Sequence, residues 1–478
     1  MNFLILINSA PQYKYFYYGI GCALERLGHE VYYAVDARRS CVLEPLPEID
    51  CGPKTFFFDE YFKKNYDAAI SSNDSGVTWG EFFFSEFDRF LTHDFNLGRP
   101  AEYWEKAHHC LNGFFDGLIN EKKVDAVIYE NISNSFAFAA SRAINRVGKS
   151  YLGLMASRLP GRFEVHTSIL NDELNALKLL SKGTPSADEL NWYETYRERI
   201  IHITPDYMKY NNLDRIGISK LFSLTKIKHV SRLLSSWVKT DHFYDYQFGS
   251  PLRAIIKGLE VNLKRKISAV RSFKYFETDS TVERTSASED FYVYPIHFHP
   301  ESSTSVLSPL YTNEFNNILN ISNNLPLGVK LYVKDHMSAF GFQTSEFYRK
   351  VSALPAVRLI KPTQNIKTLM LKSKGLITVN STAGLEALVL GKPVYLLGRV
   401  FYQDFPGVSK LEGFSDLPGK LSAPPMEVVD IKNYIIAYRR FTYEGDLRIS
   451  SWRDKNNKYY DGLASLLLSK VGIESNLL

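Results

Sequence analysis

Lys334-Asp335-His336 sets two basic side chains within one short segment, and Thr378-Val379-Asn380-Ser381-Thr382-Ala383-Gly384-Leu385-Glu386 follows further along, ahead of Gly391-Lys392-Pro393-Val394. These types in this order suit a phosphate. A lysine or histidine beside a phosphate makes a charge-assisted hydrogen bond worth about 1.5–3 kcal/mol, and it can stabilise a departing nucleotide as negative charge develops. Asn380, Ser381 and Thr382 can cap a helix running from Ala383 to Leu390, whose unpaired N–H groups and positive dipole end favour an anion. Gly384 would let a ligand approach closely, and the Glu386 carboxylate, a turn into that helix, would accept hydrogen bonds from ribose hydroxyls. A Ser-Thr-x-Gly helix start with a surface glutamate is the ordinary reading of the second segment taken alone. Its pairing with Lys334 and His336 favours the ligand site.

Other candidates are spread along the chain. Val124 to Tyr129 reads as a strand whose carboxyl end presents Glu130, a carboxylate placed either as a proton acceptor in a cleft or as an ordinary loop residue. Arg158 and Arg162 flank a Leu-Pro-Gly turn, where they would grip a phosphate or a sugar carboxylate through bidentate contacts or simply solvate a loop. His299 precedes a proline and is either a ligand contact or a structural hydrogen-bond partner. The spacing of His297 and His299 would suit a metal, but no carboxylate pattern completes a set, so no metal site is expected.

The elements that must position these groups follow from periodicity. Phe3–Ile7, a helix from Tyr15 to Leu27 closed by Gly28, and Glu30–Val35 form the opening of a Rossmann-like half that lacks a Gly-x-Gly-x-x-Gly fingerprint. Its strand-end loop, Asn8-Ser9-Ala10-Pro11-Gln12, is therefore not expected to hold a pyrophosphate. Strands at Ser150–Met155, Phe291–Tyr294, Lys330–Val333, Val357–Ile360, Gly375–Val379 and Val394–Leu397 alternate with helices near 135–147, 312–323, 344–353 and 366–372. Such alternation predicts doubly wound parallel sheets with ligands above the strand ends. Between residues 216 and 274 basic side chains greatly outnumber acidic ones and apolar residues recur at helical spacing. These helices either lie against anionic lipid or solvate a packed surface. Thr278 to Asp290 is polar and reads as a linker or mobile loop. Beyond Gly398, the Arg399-Val400-Phe401-Tyr402 loop would stack on a base or sugar.

Val293-Tyr294-Pro295-Ile296-His297-Phe298-His299-Pro300-Glu301-Ser302-Ser303-Thr304, taken with the two segments above, resembles the core of bacterial capsule polysaccharide biosynthesis proteins, a group related to β-Kdo transferases. The resemblance runs from about Phe291 to Phe405. It departs at Lys334-Asp335-His336-Met337, where the group has Lys-Glu-His-Pro, and at Ser381-Thr382, where it has Gly-Thr. The resemblance implies an α/β fold of two Rossmann-like domains facing a cleft, GT-B-like, with a basic helical insertion before the second. The divisions are then 1–215, 216–290, 291–425 and 426–478, the last packing back on the first domain. It also implies a glycosyltransferase that passes a sugar from a nucleotide-sugar donor, CMP- or UDP-linked, to a surface polysaccharide or its lipid-linked acceptor. Lys334, His299, Glu301, Ser302, Ser381, Thr382, Gly384 and Glu386 would bind the donor; Ser9, Arg158 and Arg162 would meet the acceptor or sugar. Glu130 and His336 would be catalytic, Glu130 by deprotonating the acceptor or stabilising cationic character at the anomeric carbon. A nucleotide-sugar epimerase of related architecture and a non-catalytic assembly subunit are the alternatives.

Composition bounds the rest. A net charge of +5 with 23% charged residues falls short of a dedicated nucleic-acid binder. The four cysteines, Cys22, Cys41, Cys51 and Cys110, have neither metal-ligand nor disulfide spacing, which suits a reducing cytoplasm. The opening residues lack a basic signal-peptide region and no apolar run reaches membrane-span length. A cytoplasmic protein is expected, with a peripheral position at the inner face of the cytoplasmic membrane left open.

Overall fold

Phe3 to Ile7 are fully buried, as a strand covered on both faces must be, and they form an inner strand of the first of two sheets. The structure is a computed structural model that describes residues 1–10, 12–69, 76–93, 98–203, 231–232, 234, 245–247, 249, 251–299, 301–424 and 427–471. The first sheet comprises β1 (Asn2–Ile7), β2 (Glu30–Val35), β3 (Thr55–Phe57), β4 (Ala126–Glu130), β5 (Ser150–Ala156) and β6 (Arg162–His166), joined at its edge by β13 (Tyr443–Glu444) from the far end of the chain. Its order is β13-β6-β5-β4-β1-β2-β3. The strands from β1 to β5 run parallel, while β6 is antiparallel to both of its neighbours.

The second sheet is parallel throughout, with β7 (Phe291–Pro295), β8 (Lys330–Lys334), β9 (Val357–Ile360), β10 (Gly375–Thr378), β11 (Val394–Leu396) and β12 (Val408–Lys410) in the order β12-β11-β10-β7-β8-β9. In both sheets the order reverses beside the first strand, between β1 and β4 and between β7 and β10. Such a switch point leaves a crevice at the carboxyl ends, where doubly wound folds bind ligands. The architecture is that of two Rossmann-like sheets, as expected.

The chain crosses between the halves more than once. Helix Asn457–Lys470 lies on helix Tyr13–Arg26, with Tyr460 filling the space over Gly19 and Trp452 stacked on Tyr15 at 4.5 Å. Helix Ile431–Phe441 packs on helices Asn171–Leu180 and Ala187–Arg199, and Leu170, Leu177, Tyr193 and Ile200 share one apolar core with Leu376, Leu388 and Ile436. The segment after β6 thus belongs by packing to the second half, ahead of the boundary set at residue 215.

Two local expectations need correction. Thr278–Asp290 is not a loose linker: Thr278 Oγ1 accepts from the Thr281 amide and caps helix Asp279–Thr285, Val282 is buried, and Glu289 is clasped by Arg358. A polar composition concealed a capped helix. Tyr402 is not placed to stack on a base, because it is fully buried above Gly384, and Phe401 is stacked on Tyr438 at 4.5 Å. Of the basic segment, helix Pro251–Ser272 is described; the apolar positions Leu221, Leu224, Ile227 and Val230 lie outside the described residues.

Candidate functional site

Between the two sheets lies a cavity of about 930 Å³, lined by the loops that leave β1, β4 and β5 on one side and β7, β8, β9, β10 and β11 on the other. Glu130, Arg158, Arg162, Glu301, Lys334, His336, Ser381, Thr382 and Glu386 all line it. The two segments that carried the phosphate reading therefore meet on one rim.

On the second-half rim, Lys334 Nζ donates to the carbonyls of Asp335 (2.9 Å) and Pro362 (3.1 Å), which aims the ammonium inward with a third N–H left over. Burial lowers its pKa to about 8, against the raising influence of Asp335 and Glu386, so it stays largely charged at neutral pH. His336 differs from its expected cationic form. Burial, then the charges of Lys334 and His297, depress it to about 4, and the Ser338 amide donates to its Nδ1 at 3.2 Å. The ring is neutral with its proton on Nε2, a hydrogen-bond donor rather than a charge. Asp335 holds the loop by accepting from the His336 amide (2.7 Å) and the Tyr348 hydroxyl (2.6 Å). Arg265, from helix Pro251–Ser272, donates to the carbonyls of Ser338 (2.6 Å) and Phe340 (3.0 Å).

The helix after β10 spans Ala383–Val389, and its amino end is mostly occupied by its own loop. The Ser381 amide donates to Thr378 Oγ1, the Ala383 amide to Ser381 Oγ, and the Gly384 amide to the Ser381 carbonyl. The phosphate grip assigned to this helix end therefore shrinks to Lys334, His336 and the loop's hydroxyls. Gly384 is a second correction: a Cβ there would stand 2.1 Å from the Tyr402 hydroxyl, so glycine is required by the protein's own packing, not by a ligand. Glu386 lines the cavity 3.0 Å from Lys367 Nζ. Burial raises its pKa and the two lysines, Lys367 and Lys334, pull it back.

His297 is a functional side chain that the sequence did not single out as such. Its Nδ1 lies 2.9 Å from Glu314 Oε1, its Nε2 lies 3.1 Å from Thr378 Oγ1, and the Asn380 amide donates to Nε2 at 3.3 Å. Glu314 thereby orients His297, and His297 sets the Asn380–Thr382 loop. Its neighbour His299 lies outside the cavity lining, 3% exposed, bonded to Asp88, Thr304 and Glu314. His299 is a strut between the halves, since Asp88 belongs to helix Trp79–His93 of the first. Ser302 opens helix Ser302–Leu307, and its neighbour Ser303 lines the cavity.

On the first-half rim, Glu130 accepts from the Tyr13 hydroxyl (2.7 Å) and the Ser133 hydroxyl (2.8 Å). Burial raises its pKa, and those two hydrogen bonds only partly offset it. A partly desolvated carboxylate of raised pKa is suited to take up a proton. Tyr13 and Gln12 line the cavity in place of Ser9, which lies in a separate shallow cleft with Lys14 and Glu44. Gln12 holds a left-handed φ of 71° and is fixed by Trp452 Nε1 donating to its Oε1 at 2.5 Å. Arg162 lines the cavity but directs its guanidinium to Thr442, Glu444 and the Arg439 carbonyl, tying β6 to the C-terminal segment rather than waiting for a sugar. Arg158 donates its amide to Tyr438 and one guanidinium N–H to the Ala156 carbonyl.

The same wall carries His166 and Glu173, with Glu164 bonded to the histidine, a group that sequence reasoning passed over. Their signal was present as Glu-x-His on β6, which puts both side chains on one face of a strand, with Asp172-Glu173 opening the next helix.

Two doubly wound sheets that present their switch points to one cavity define a GT-B-like α/β protein. Residues 219–437 match the family described as "Capsule polysaccharide biosynthesis protein", which bears out the resemblance carried by the motifs. Among solved structures, the chain is similar to Thermosulfurimonas dismutans KpsC, beta Kdo 2,4 transferase, at 14% identity over 66% of this chain and 79% of that one, with a TM-score of 0.36. It is also similar to UDP-GlcNAc 2-epimerase from Methanocaldococcus jannaschii, at 11% identity over 98% and 100% of the two chains with a TM-score of 0.26. The Neisseria meningitidis UDP-GlcNAc 2-epimerase bound to UDP-GlcNAc gives 13% identity over 99% and 100%, with a TM-score of 0.26. No curated protein matches the sequence. These likenesses are distant, and the chemistry of the site rests on its own residues.

Proposed function

We propose that the protein is a glycosyltransferase of capsular or other surface-polysaccharide assembly, with a nucleotide-sugar donor on the second-half rim and a saccharide acceptor against the first. One observation carries this: a buried carboxylate of raised pKa, Glu130, shares a single cavity with Lys334 and His336, which come from the opposite sheet. Glu130 takes the proton of an acceptor hydroxyl as its oxygen bonds to the anomeric carbon. The bond from that carbon to the nucleotide phosphate breaks, and the charge left on the phosphate is met by the Lys334 ammonium and the His336 Nε2–H. Glu386 and the hydroxyls of Ser381 and Thr382 hold the nucleotide, CMP- or UDP-linked. The reaction needs no cofactor beyond this donor.

Binding and turnover separate the roles. His336→Ala and Glu386→Ala should lose nucleotide-sugar binding in calorimetry. Glu130→Ala should keep it while turnover falls by about 10²–10⁴. Normal transfer by all three purified variants would defeat the reading, and conversion of the donor without any acceptor would replace it with an epimerase.

A peripheral seat at the inner face of the cytoplasmic membrane is the second part of the reading. On helix Pro251–Ser272, Ile256, Leu259, Leu263, Ile267 and Val270 are exposed at helical spacing beside Arg253, Lys257, Lys264, Lys266 and Arg271, the pattern of a helix lying in a lipid interface. No helix of the described residues is long and apolar enough to cross a membrane. Cosedimentation with anionic but not neutral vesicles is the expected result, lost in Leu259→Glu/Leu263→Glu.

A further inference from the structure

The cavity wall formed by β6 and the helix after it holds a histidine whose hydrogen bonding is half complete. His166 is 3% exposed. Its Nε2 lies 2.8 Å from Glu164 Oε2, and the Tyr438 hydroxyl donates to the other oxygen of Glu164, so both Glu164 oxygens are engaged. Nε2 is engaged by Glu164, which leaves Nδ1 directed away from it. Nδ1 is buried without a hydrogen bond among the described residues. What faces it instead are two carboxylates from the first turn of helix Asn171–Leu180, Asp172 Oδ2 and Glu173 Oε1, each 3.9 Å away.

A ring nitrogen and two carboxylates directed at one another are complementary around a cation, whether a proton on Nδ1 in the metal-free protein or a metal ion in its place. Donors each about 2.0–2.2 Å from a shared ion stand roughly 3–4 Å from one another, and 3.9 Å meets that spacing. Asp172 is held ready to ligate, because the Thr167 amide (2.9 Å) and the Ser168 hydroxyl (2.7 Å) fix its carboxylate in place. Glu164 bonded to the far nitrogen of the histidine completes the carboxylate–histidine–metal arrangement that fixes the ring's tautomer and raises its basicity. Glu164, His166 and Glu173 offer ligand atoms within 4.8 Å of one another.

We propose that His166 Nδ1, Glu173 and Asp172 bind a divalent transition-metal ion on the wall of the cavity, with Glu164 as the positioning carboxylate behind the histidine. One imidazole nitrogen with two carboxylates is a donor set for Zn²⁺ or Mn²⁺ rather than for the all-oxygen sites of Mg²⁺ and Ca²⁺. The ion would add positive charge to a part of the wall where Glu164, Asp172 and Glu173 outnumber the nearby Arg158.

Full-length protein stripped with EDTA and exchanged into chelator-free buffer is titrated with Zn²⁺ and Mn²⁺ by calorimetry and with Co²⁺ by visible absorption. One equivalent should bind, with ligand-field bands for Co²⁺. Glu173→Gln and His166→Gln should each weaken binding at least tenfold, Glu164→Gln by about 10–100-fold, and surface Glu346→Gln not at all. Circular dichroism in EDTA establishes folding; if His166→Gln does not fold, the near-isosteric Glu173→Gln carries the test. Absence of saturable binding by the wild type, or binding unchanged in Glu173→Gln, overturns the proposal. The readout is the metal itself, so loss of nucleotide binding would refute the transferase reading and leave the metal centre standing.

Discussion

Two buried histidine–carboxylate clusters flank the interdomain cavity, and they differ in whether their hydrogen bonds close. At His299 both ring nitrogens have partners, and Glu314 collects His297, His299 and the Tyr294 hydroxyl around one carboxylate. At His166 one nitrogen is paired and the other is buried without a hydrogen bond among the described residues, facing two carboxylates. Satisfied polar networks fix a fold, because removing a member strands a buried charge. An unsatisfied one facing a cavity leaves a place for a ligand. Neighbouring chemistry in the sequence thus resolves into opposite roles: the His297–His299 pair is satisfied within the protein, His297 setting the Asn380–Thr382 loop and His299 bracing the two halves, and the Glu164–His166 pair is the open site.

The sharpest break in this contrast is His299→Ala, which leaves Glu314 and Asp88 facing one another across the halves. A loss of about 3–5 kcal/mol in urea unfolding is expected, whereas His166→Ala in metal-free protein, where Glu164 keeps Tyr438, should cost clearly less. Equal losses would erase the distinction.

Ligand binding at the open rim should respond to pH through Lys334. Its pKa of about 8 in the free protein means that an anion binds the charged form fully below that value. Above it, nucleotide affinity should fall by up to about tenfold per pH unit, and a flat profile between about pH 7 and 9.5 in calorimetry would remove Lys334 from the grip.

The closed cluster predicts a different pH signature, in stability. Burial alone would lower the His299 pKa, but Asp88 and Glu314 raise it to about 10 from an ordinary 6.5. Its contribution is whole below pH 6.5 and lost as pH rises through 10. Burial alone would raise Glu314, but His297 and His299 bring it down to about 2 from an ordinary 4.5, so its contribution is whole above 4.5 and lost as pH falls through 2. The strut should therefore be strongest between pH 4.5 and 6.5. In His299→Gln the pH dependence of urea unfolding should flatten on the alkaline side. The smallest effect belongs to Glu173→Gln without metal, where a carboxyl lacking a fixed donor is replaced by its near isostere. A change within about 1 kcal/mol is expected, and a larger loss would mean the cluster is structural after all.

The strands were the most legible part of the chain. Glu30–Val35 and helix Ile366–Lys372 fall where their apolar patterns put them, and Gly375–Thr378 ends where its polar residues begin. Short edge strands such as β3 and β12 were not legible, because three residues carry no period, and β13 pairs with a strand from the other end of the sequence. The site was half legible. Lys334, His336, Ser381 and Glu130 announce themselves by following strands. Tyr13, His297 and Lys367 act through partners far off in sequence, and Gly384 and Arg162, which looked like ligand contacts, serve Tyr402 and the C-terminal segment.

The sequence by itself determined the periodic elements, the strand-end placement of the polar groups and the family motif, because these depend on neighbours a few residues apart. Tertiary structure alone decided which of those groups keep a free lone pair or proton. A donor's availability depends on every partner within hydrogen-bond reach, and in this chain those partners arrive from the opposite half: Tyr438 at Glu164, Asp88 at His299 and Trp452 at Gln12.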